Sequence, residues 1–140
     1  GLAHLQSLTH LQELHLDHSD ITDEGLKLLT GLPRLEILDL KGTHITDAGL
    51  VEVGRLAQLK GLYLTRTGIT DAGLEHLRSL EKLETLILWD TAIGDAGLEH
   101  LKSLTHLKEV ILWNTRVTQQ GAEALQAVLP ACDVSTTMFE

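Results

Sequence analysis

The chain has 140 residues and a formal charge of −9 with its 8 histidines neutral, and its length indicates one domain. This acidic balance argues against nucleic acid and anionic membrane surfaces as partners, because phosphate binding needs clustered lysine and arginine. The apolar runs are only a few residues long, so neither a membrane-spanning segment nor a signal peptide is predicted. Cys132 is the single cysteine, which excludes an internal disulfide and favours a reducing compartment such as the cytoplasm, although the localisation stays open.

Residues 1–10 have the pattern of the helical half of a repeat whose strand is missing. We therefore expect a truncated N-terminal repeat and a chain that is attached to further domains of a longer protein. From residue 11 the sequence repeats every 24 residues, which indicates a solenoid of stacked units at 11–34, 35–58, 59–82, 83–106 and 107–130. The recurring positions include Ile21, Ile45, Ile69, Ile93 and Val117, together with Gly25, Gly49, Gly73, Gly97 and Gly121.

Residues 59–82 illustrate what one unit contains. The segment 62–64 alternates leucine with a variable residue, which predicts a short strand with one buried face. Leu74, Leu77 and Leu80 then recur at three-residue steps, which predicts a narrow apolar stripe on a short helix. Each unit is therefore a strand followed by a helix.

The junction between strand and helix carries three repeated signals. Thr70 is a predicted N-cap, and its equivalents are threonine in every unit except the fourth, where Gly94 should start the helix less firmly. The glycine that precedes each helix leucine disfavours helix, so we expect a neighbouring unit too close to admit a Cβ, unless duplication simply copied the residue. The serine and threonine ladder should point inward and bond loop backbone; its members are Ser19, Thr43, Thr67, Thr91 and Thr115.

Residues 131–140 are predicted to cap the C-terminal end of the same domain. Pro130 stops the last helix, and residues 131–136 follow as a degenerate sixth strand with Val134 in the leucine position. Met138 or Phe139 is expected to fold over the last core layer. The cap would cover core that the end of a solenoid otherwise exposes.

The complete unit reads L-x-x-L-x-L-x-x-T-x-I-T-D-A-G-L-x-x-L and resembles a leucine-rich repeat. Its 24-residue length and the segment ITDAGL are similar to the cysteine-containing subtype, with threonine in place of cysteine. Residues 127–132 are similar to the closing unit of bacterial, planctomycete-type leucine-rich repeat domains. The resemblance implies an α/β fold: a right-handed solenoid, or horseshoe, with a parallel β-sheet on the concave face and short helices on the convex face. It also implies a binding function without naming a ligand.

Stacked parallel strands place the variable residues in columns along the concave face. One column contains Tyr63, Ile87 and Ile111, and the next contains Trp89 and Trp113 on adjacent strands. Aromatic anchors with a polar border are typical of binding hot spots, although the two tryptophans could instead pack only against each other. The predicted partner-binding residues are Ile37, Tyr63, Arg66, Ile87, Trp89, Asp90, Ile111, Trp113 and Asn114.

These columns predict a non-catalytic module that binds a protein or peptide. One alternative is a carbohydrate or small ligand on the paired tryptophans, since tryptophan suits both classes of ligand. The resemblance adds two others, a substrate receptor in a ubiquitin ligase and a bacterial effector. A last alternative is a structural spacer between domains, which predicts no binding chemistry on the sheet.

The sequence predicts no catalytic residue, cofactor or metal. His15, Asp17 and Asp39 should lie near one another, and a histidine with two carboxylates could bind a divalent ion, but polar groove residues come together in this way by chance. A His15–Asp39 pair has no serine or cysteine nucleophile beside it. Cys132 is interpreted as a small core residue, and the equivalent helix positions His4, His76 and His100 as solvated side chains.

Overall fold

Six short parallel strands form one sheet in the computed structural model, which describes residues 2–138. The strands follow one another in chain order, and each residue pairs with the residue 24 positions later, as Leu62 does with Leu86. The six strands are β1 (Glu13–His15), β2 (Ile37–Asp39), β3 (Gly61–Tyr63), β4 (Thr85–Ile87), β5 (Glu109–Ile111) and β6 (Asp133–Ser135). The sequence period is therefore the step from one strand to the next.

A short helical segment crosses over between each pair of consecutive strands. The five α-helices are α1 (Asp23–Leu26), α2 (Asp47–Val53), α3 (Asp71–Leu74), α4 (Asp95–Leu98) and α5 (Gln119–Val128). A 3₁₀-helix continues three of them, at Lys27–Gly31, Glu75–Ser79 and Glu99–Leu101, and another spans Leu2–Ser7. The three-residue step between apolar positions matches the 3.0 residues per turn of a 3₁₀-helix, so the same stripe stays buried as the helix tightens. In the described part of the chain, no helix is both long and apolar enough to cross a membrane.

The leucines that the repeat places inside are fully buried. Leu62, Leu64 and Leu74 all have 0% exposure, which confirms the predicted phase of the strand pleat and of the helix stripe. Their equivalents in the first unit, Leu14 and Leu16, are only half-buried because they lie in the outermost layer of the described core. Each unit thus completes its core only against the units beside it.

The predicted serine and threonine ladder is confirmed. Each hydroxyl donates to the backbone carbonyl oxygen three residues earlier, as Thr67 Oγ1 does to the Leu64 oxygen at 2.7 Å. Thr43, Thr67 and Thr91 are buried, so these bonds satisfy carbonyl groups in the turn after each strand that water does not reach. The remaining bonds join Ser19 to Leu16, Thr43 to Leu40, Thr91 to Leu88 and Thr115 to Leu112.

The threonines occupy the predicted N-cap position of their helices, but the cap hydrogen bond forms in only one of them. Only Thr118 accepts a bond from its own helix, at the Gly121 N–H. Thr70 instead bonds the preceding unit: its N–H donates to Asp47 Oδ1 at 2.7 Å, and its hydroxyl donates to Asp47 Oδ2 at 2.5 Å. A charged acceptor that takes two donors forms stronger bonds than a hydroxyl cap. The same pairing joins Asp23 to Thr46 and Asp95 to Thr118.

This aspartate also explains the repeated glycine. A Cβ built on Gly73 would lie within 3.0 Å of the Asp47 carboxylate and at 3.0 Å from Leu50 Cδ1. The expected close approach of a neighbouring unit is therefore confirmed, and Gly49, Gly97 and Gly121 meet the corresponding aspartates in the same way. In the fourth unit, Gly94 keeps the backbone bond to Asp71 Oδ1 at 2.7 Å but has no hydroxyl for the second one.

The C-terminal end is closed by β6 and by a glutamine. Val134 pairs with Val110 across β5 and β6, in the position that leucine has elsewhere. Gln126 Nε2 donates to the Cys132 oxygen at 2.5 Å, which ties α5 to the start of β6. The expected cover of the core by Met138 is wrong, since this side chain is 49% exposed, while Phe139 lies outside the described residues. Cys132, at 3% exposure, completes the last core layer instead.

Candidate binding face of the sheet

The predicted binding residues lie on the outer face of the sheet, which points away from the core. Ile87, the last residue of β4, and Trp89 stand on either side of the fully buried Leu88, so alternation directs both of them outward. The register brings Tyr63, Ile87 and Ile111 side by side on three consecutive strands. We call the set of five half-buried side chains the apolar patch; its members are Tyr63, Ile87, Trp89, Ile111 and Trp113. Ile37 lies further along the sheet on β2, opposite Gly61 on β3.

The two indoles contact each other and keep part of their surface accessible. Trp89 and Trp113 have ring centroids 5.6 Å apart and an interplanar angle of 69°, an edge-to-face arrangement that aromatic pairs favour. Trp113 Nε1 donates to Ser135 Oγ on β6 at 2.8 Å. Among residues 2–138, the Trp89 Nε1–H has no acceptor, so it is a donor that a ligand could use. Mutual packing and an accessible patch, which the sequence presented as alternatives, therefore occur together.

The three predicted polar residues form one network beside the indoles. Arg66 Nε donates to Asp90 Oδ2 at 2.9 Å, and Asn114 Nδ2 donates to Asp90 Oδ1. The hydrogen bonds from Asn114 and Arg66 and the positive charge of Arg66 lower the pKa of Asp90 below its ordinary value. The guanidinium carbon of Arg66 also lies 5.9 Å from the Trp89 ring centroid, within the range of a cation–π contact. The network thus fixes the carboxylate and borders the patch with a partly neutralised charge.

Backbone geometry explains why these residues turn toward one another. Arg66, Asp90 and Asn114 have φ values of 57°, 56° and 50°, in the left-handed region. The equivalent residues of the first two units, His18 and Gly42, share this conformation, so the turn requires it at every strand end. The glycine, aspartate and asparagine at this position were the available sequence signal, because these residues enter the region most easily. Nothing in the sequence indicated that the three side chains would bond to one another.

The polar end of the face contains the candidate metal ligands. His15, Asp17 and Asp39 each offer one ligand atom, and these atoms lie within 4.8 Å of one another. His15 Nδ1 is 3.7 Å from Asp39 Oδ2 and His15 Nε2 is 3.6 Å from Glu13 Oε2, which are ion pairs only when the imidazole is protonated. His15 and Asp17 are exposed, and exposed groups of this kind are common without an ion. Chance proximity remains the interpretation of this cluster.

Two further sequence interpretations concern isolated side chains. Cys132 is buried as expected, and burial, followed by the nearby charges of Asp133 and Glu109, raises the pKa of its thiol to about 11. His4 is exposed, as interpreted, whereas His76 and His100 are half-buried, and His100 Nδ1 is buried without a partner within residues 2–138.

Comparisons with known proteins agree with this geometry. A family model described as "Leucine rich repeat" matches residues 9–69. The structure of internalin C2 from Listeria monocytogenes superposes with a TM-score of 0.81 at 28% identity, over 98% of this chain and 56% of that one. No curated protein matches the sequence. The fold is therefore that of a leucine-rich repeat solenoid, a class of repeat protein that commonly serves as a protein-interaction module.

Two more distant structures support the fold alone. A leucine-rich repeat protein from Leptospira interrogans has a TM-score of 0.71 at 23% identity, over 95% of this chain and 33% of that one. The internalin InlF from Listeria monocytogenes has a TM-score of 0.59 at 20% identity, over 100% of this chain and 52% of that one. The chain thus spans between 33% and 56% of the length of the three structures.

Proposed function

We propose that the chain is a non-catalytic module that binds a protein or peptide through the outer face of its sheet. The observation that carries the proposal is the apolar patch. Three of the four aromatic residues of the chain lie there, although the fold requires none of them for its core. The large apolar side chains that are exposed elsewhere among residues 4–138 are scattered; they are Leu8, Val51, Val128 and Met138. An aromatic cluster with a polar border is what binding hot spots share.

The arrangement of the patch favours a shaped apolar partner. The indoles meet at 69°, so they form an angled wall rather than one flat platform on which a sugar ring could stack. Apolar anchors would contact Tyr63, Ile87 and Ile111, while the Trp89 N–H offers a hydrogen bond. Arg66 and Asn114 would orient the partner from the border, with Ile37 extending the contact along the sheet. Nucleic acid fits poorly, because Arg66 is already paired with Asp90 and the chain has a charge of −9.

We also infer that the chain is organised as the sequence indicates. The division is a helical half-repeat at 1–10, five units at 11–34, 35–58, 59–82, 83–106 and 107–130, and a capping segment at 131–140. The pairing of each strand residue with the residue 24 positions later supports this division. The buried threonine hydroxyls support the subtype with threonine in place of cysteine. The similarity of residues 127–132 to planctomycete-type repeats stays a hypothesis.

The experiment begins with a partner captured by the intact chain and lost by the Trp89→Ala/Trp113→Ala variant. The identified partner is then titrated by calorimetry against the single variants. We expect Trp89→Ala to weaken binding by about 2 kcal/mol or more, roughly 30-fold in Kd, as hot-spot aromatics do. Val51→Ala is the control, because Val51 is 36% exposed on helix α2 rather than on the sheet. Equal binding by Trp89→Ala and the parent would remove the patch from the site.

Trp113 needs a separate variant because it also supports the fold. Its bond to Ser135 holds the capping strand β6, so Trp113→Ala removes both a contact surface and a structural bond. Trp113→Phe keeps a six-membered aromatic ring and much of the apolar surface, and it loses the five-membered ring with the N–H donor to Ser135. Weak binding by Trp113→Ala together with near-parental binding by Trp113→Phe is the result that the proposal expects. Equal affinity of the partner for the parent, for Trp113→Ala and for Trp113→Phe would contradict the role of Trp113.

A further inference from the structure

The apolar patch is bordered on one side by two carboxylates that have no counter-charge. Glu109 on β5 and Asp133 on β6 are register partners, so their side chains start from neighbouring positions on the same outer face. Within residues 2–138, neither side chain takes part in an ion pair or a hydrogen bond. Like charges directly opposite on adjacent strands are unfavourable, and no bond in the fold offsets this pair.

The lysines nearby are already paired. Lys108, which precedes Glu109 in the chain, contacts Glu84 at 3.1 Å, and Lys60 contacts Glu36 at 3.6 Å. Glu109 and Asp133 are the first residues of β5 and β6, whereas the other nearby cations follow the opposite ends of the strands; they are Lys41, the Asp90-paired Arg66, and Arg116, which lines a surface pocket with Asp90 and Asn114. The local field beside the patch is therefore negative, as is the net charge of the chain. Burial is the main cause of the raised pKa of Cys132, and the charges of Asp133 and Glu109 raise it further.

The opposite side of the patch is acidic as well. Asp39 lies beside Tyr63 in the strand register, and Asp17 and Glu13 are exposed beyond it. A second copy of this chain placed face to face would bring equal charges together, which disfavours self-association through the sheet. Charge complementarity instead selects a partner whose apolar residues are flanked by lysine or arginine.

We propose that the occupant of this face is an extended peptide segment with an aromatic or aliphatic anchor for the apolar patch and a lysine or arginine for Glu109 and Asp133. This inference rests on the proposed function and adds the chemistry of the partner. Strands lie about 4.8 Å apart, so crossing from β2 to β6 covers about 19 Å, which an extended segment of about six residues spans. The basic residue of the partner then falls within one or two residues of its apolar anchor.

The probe is a displayed library of random peptides about eight residues long, selected on the purified chain. The expected pool is enriched in sequences that combine an apolar anchor with lysine or arginine. Synthetic peptides from this pool are then titrated against Glu109→Gln/Asp133→Asn, which should bind about tenfold more weakly and with less dependence on salt. Glu75→Gln/Glu81→Gln is the matched control, since it removes two exposed charges from segments outside the sheet, a 3₁₀-helix and the turn after it, and should bind as the parent does.

The outcomes separate this inference from the function on which it rests. The inference would be overturned, and the binding face left in place, by peptides that require Trp89 for binding but are not enriched in lysine or arginine. Peptides that require Trp89 and bind Glu109→Gln/Asp133→Asn as tightly as the parent would have the same meaning. Peptides whose affinity is unchanged by both Trp89→Ala and the charge variants would overturn the proposed function too. So would a selection in which no peptide is enriched. A thermal melt shows whether the charge variant folds; we expect its Tm to equal or exceed that of the parent, because a repulsion is relieved.

Discussion

The contact between consecutive units predicts that Gly73→Ala destabilises a helix that alanine would ordinarily favour. Gly73 lies in α3, where replacement of glycine by alanine in a free helix stabilises it by about 1 kcal/mol. Here the added methyl group would meet the Asp47 carboxylate within 3.0 Å and Leu50 Cδ1 at 3.0 Å. Because Asp47 is held by two bonds from Thr70, the carboxylate has to break at least one of them to move aside.

The magnitude follows from three opposing contributions. Forcing an extra methyl into a packed contact costs about 1–3 kcal/mol. Weakening a half-exposed hydrogen bond to a charged acceptor destabilises the fold by about 1 kcal/mol more. The higher helix propensity of alanine stabilises it by about 1 kcal/mol. The net expectation is a destabilisation of about 2 kcal/mol, which lowers the Tm of a domain of this size by about 6–10 °C.

The assay is urea unfolding followed by circular dichroism, with Gly31→Ala as the matched control. Gly31 ends the 3₁₀-helix Lys27–Gly31, and a Cβ there meets nothing within 4 Å, so this variant should equal or slightly exceed the parent in stability. In an Asp47→Ala background, Gly73→Ala should cost markedly less, because the nearer of its two obstacles is gone and only Leu50 Cδ1 at 3.0 Å remains. Equal stability of Gly73→Ala and Gly31→Ala would refute the packing explanation.

Three further predictions concern single side chains. Gly94→Thr should stabilise the chain by about 1 kcal/mol in urea unfolding, since it supplies the missing hydroxyl to Asp71, whose Oδ2 would lie 3.6 Å from the new Cβ; no gain would contradict this. The Cys132 thiol, with its pKa of about 11, should react with iodoacetamide at pH 8 about 100-fold more slowly in the folded chain than in urea; similar rates would contradict its burial. Bonds from the Thr118 hydroxyl and N–H lower the pKa of Asp95, so its stabilisation is present above the unfolded pKa and is lost as pH falls through the folded value. In an NMR titration, Thr118→Val should raise this pKa, and an unchanged midpoint would exclude the bond as its cause.

Most of the fold could be predicted from the sequence because the apolar positions recur every 24 residues. The alternation around Leu62 and the three-residue step from Leu74 both survive in the structure, since a solenoid buries the same positions in every unit. What periodicity could not show was the partner of each polar residue. Thr70 follows the rule for an N-cap, but the aspartate that it bonds belongs to the preceding unit, 23 residues earlier, and local rules do not reach that far.

The candidate site could be predicted in outline but not in its contacts. The pleat alone placed Trp89 and Trp113 next to each other on the outer face. Their edge-to-face angle and the bond from Trp113 to Ser135 depend on side-chain rotamers, which the strand pattern leaves open. At the cap, Met138, one of the two residues expected to cover the core, is exposed, while Gln126, an ordinary helix residue in the sequence, ties the last strand to α5.

The most direct test of the binding face is to observe its two indole N–H groups by NMR. Trp89 and Trp113 are the only tryptophans in the chain, so two signals result, and a single Trp89→Phe variant assigns both. On titration with a selected peptide, we expect both indole signals to shift, the Trp89 signal more strongly because its N–H has no acceptor within residues 2–138. Two unmoved indole signals, with shifts confined to backbone amides of helices α2 and α3, would contradict a binding site on the sheet.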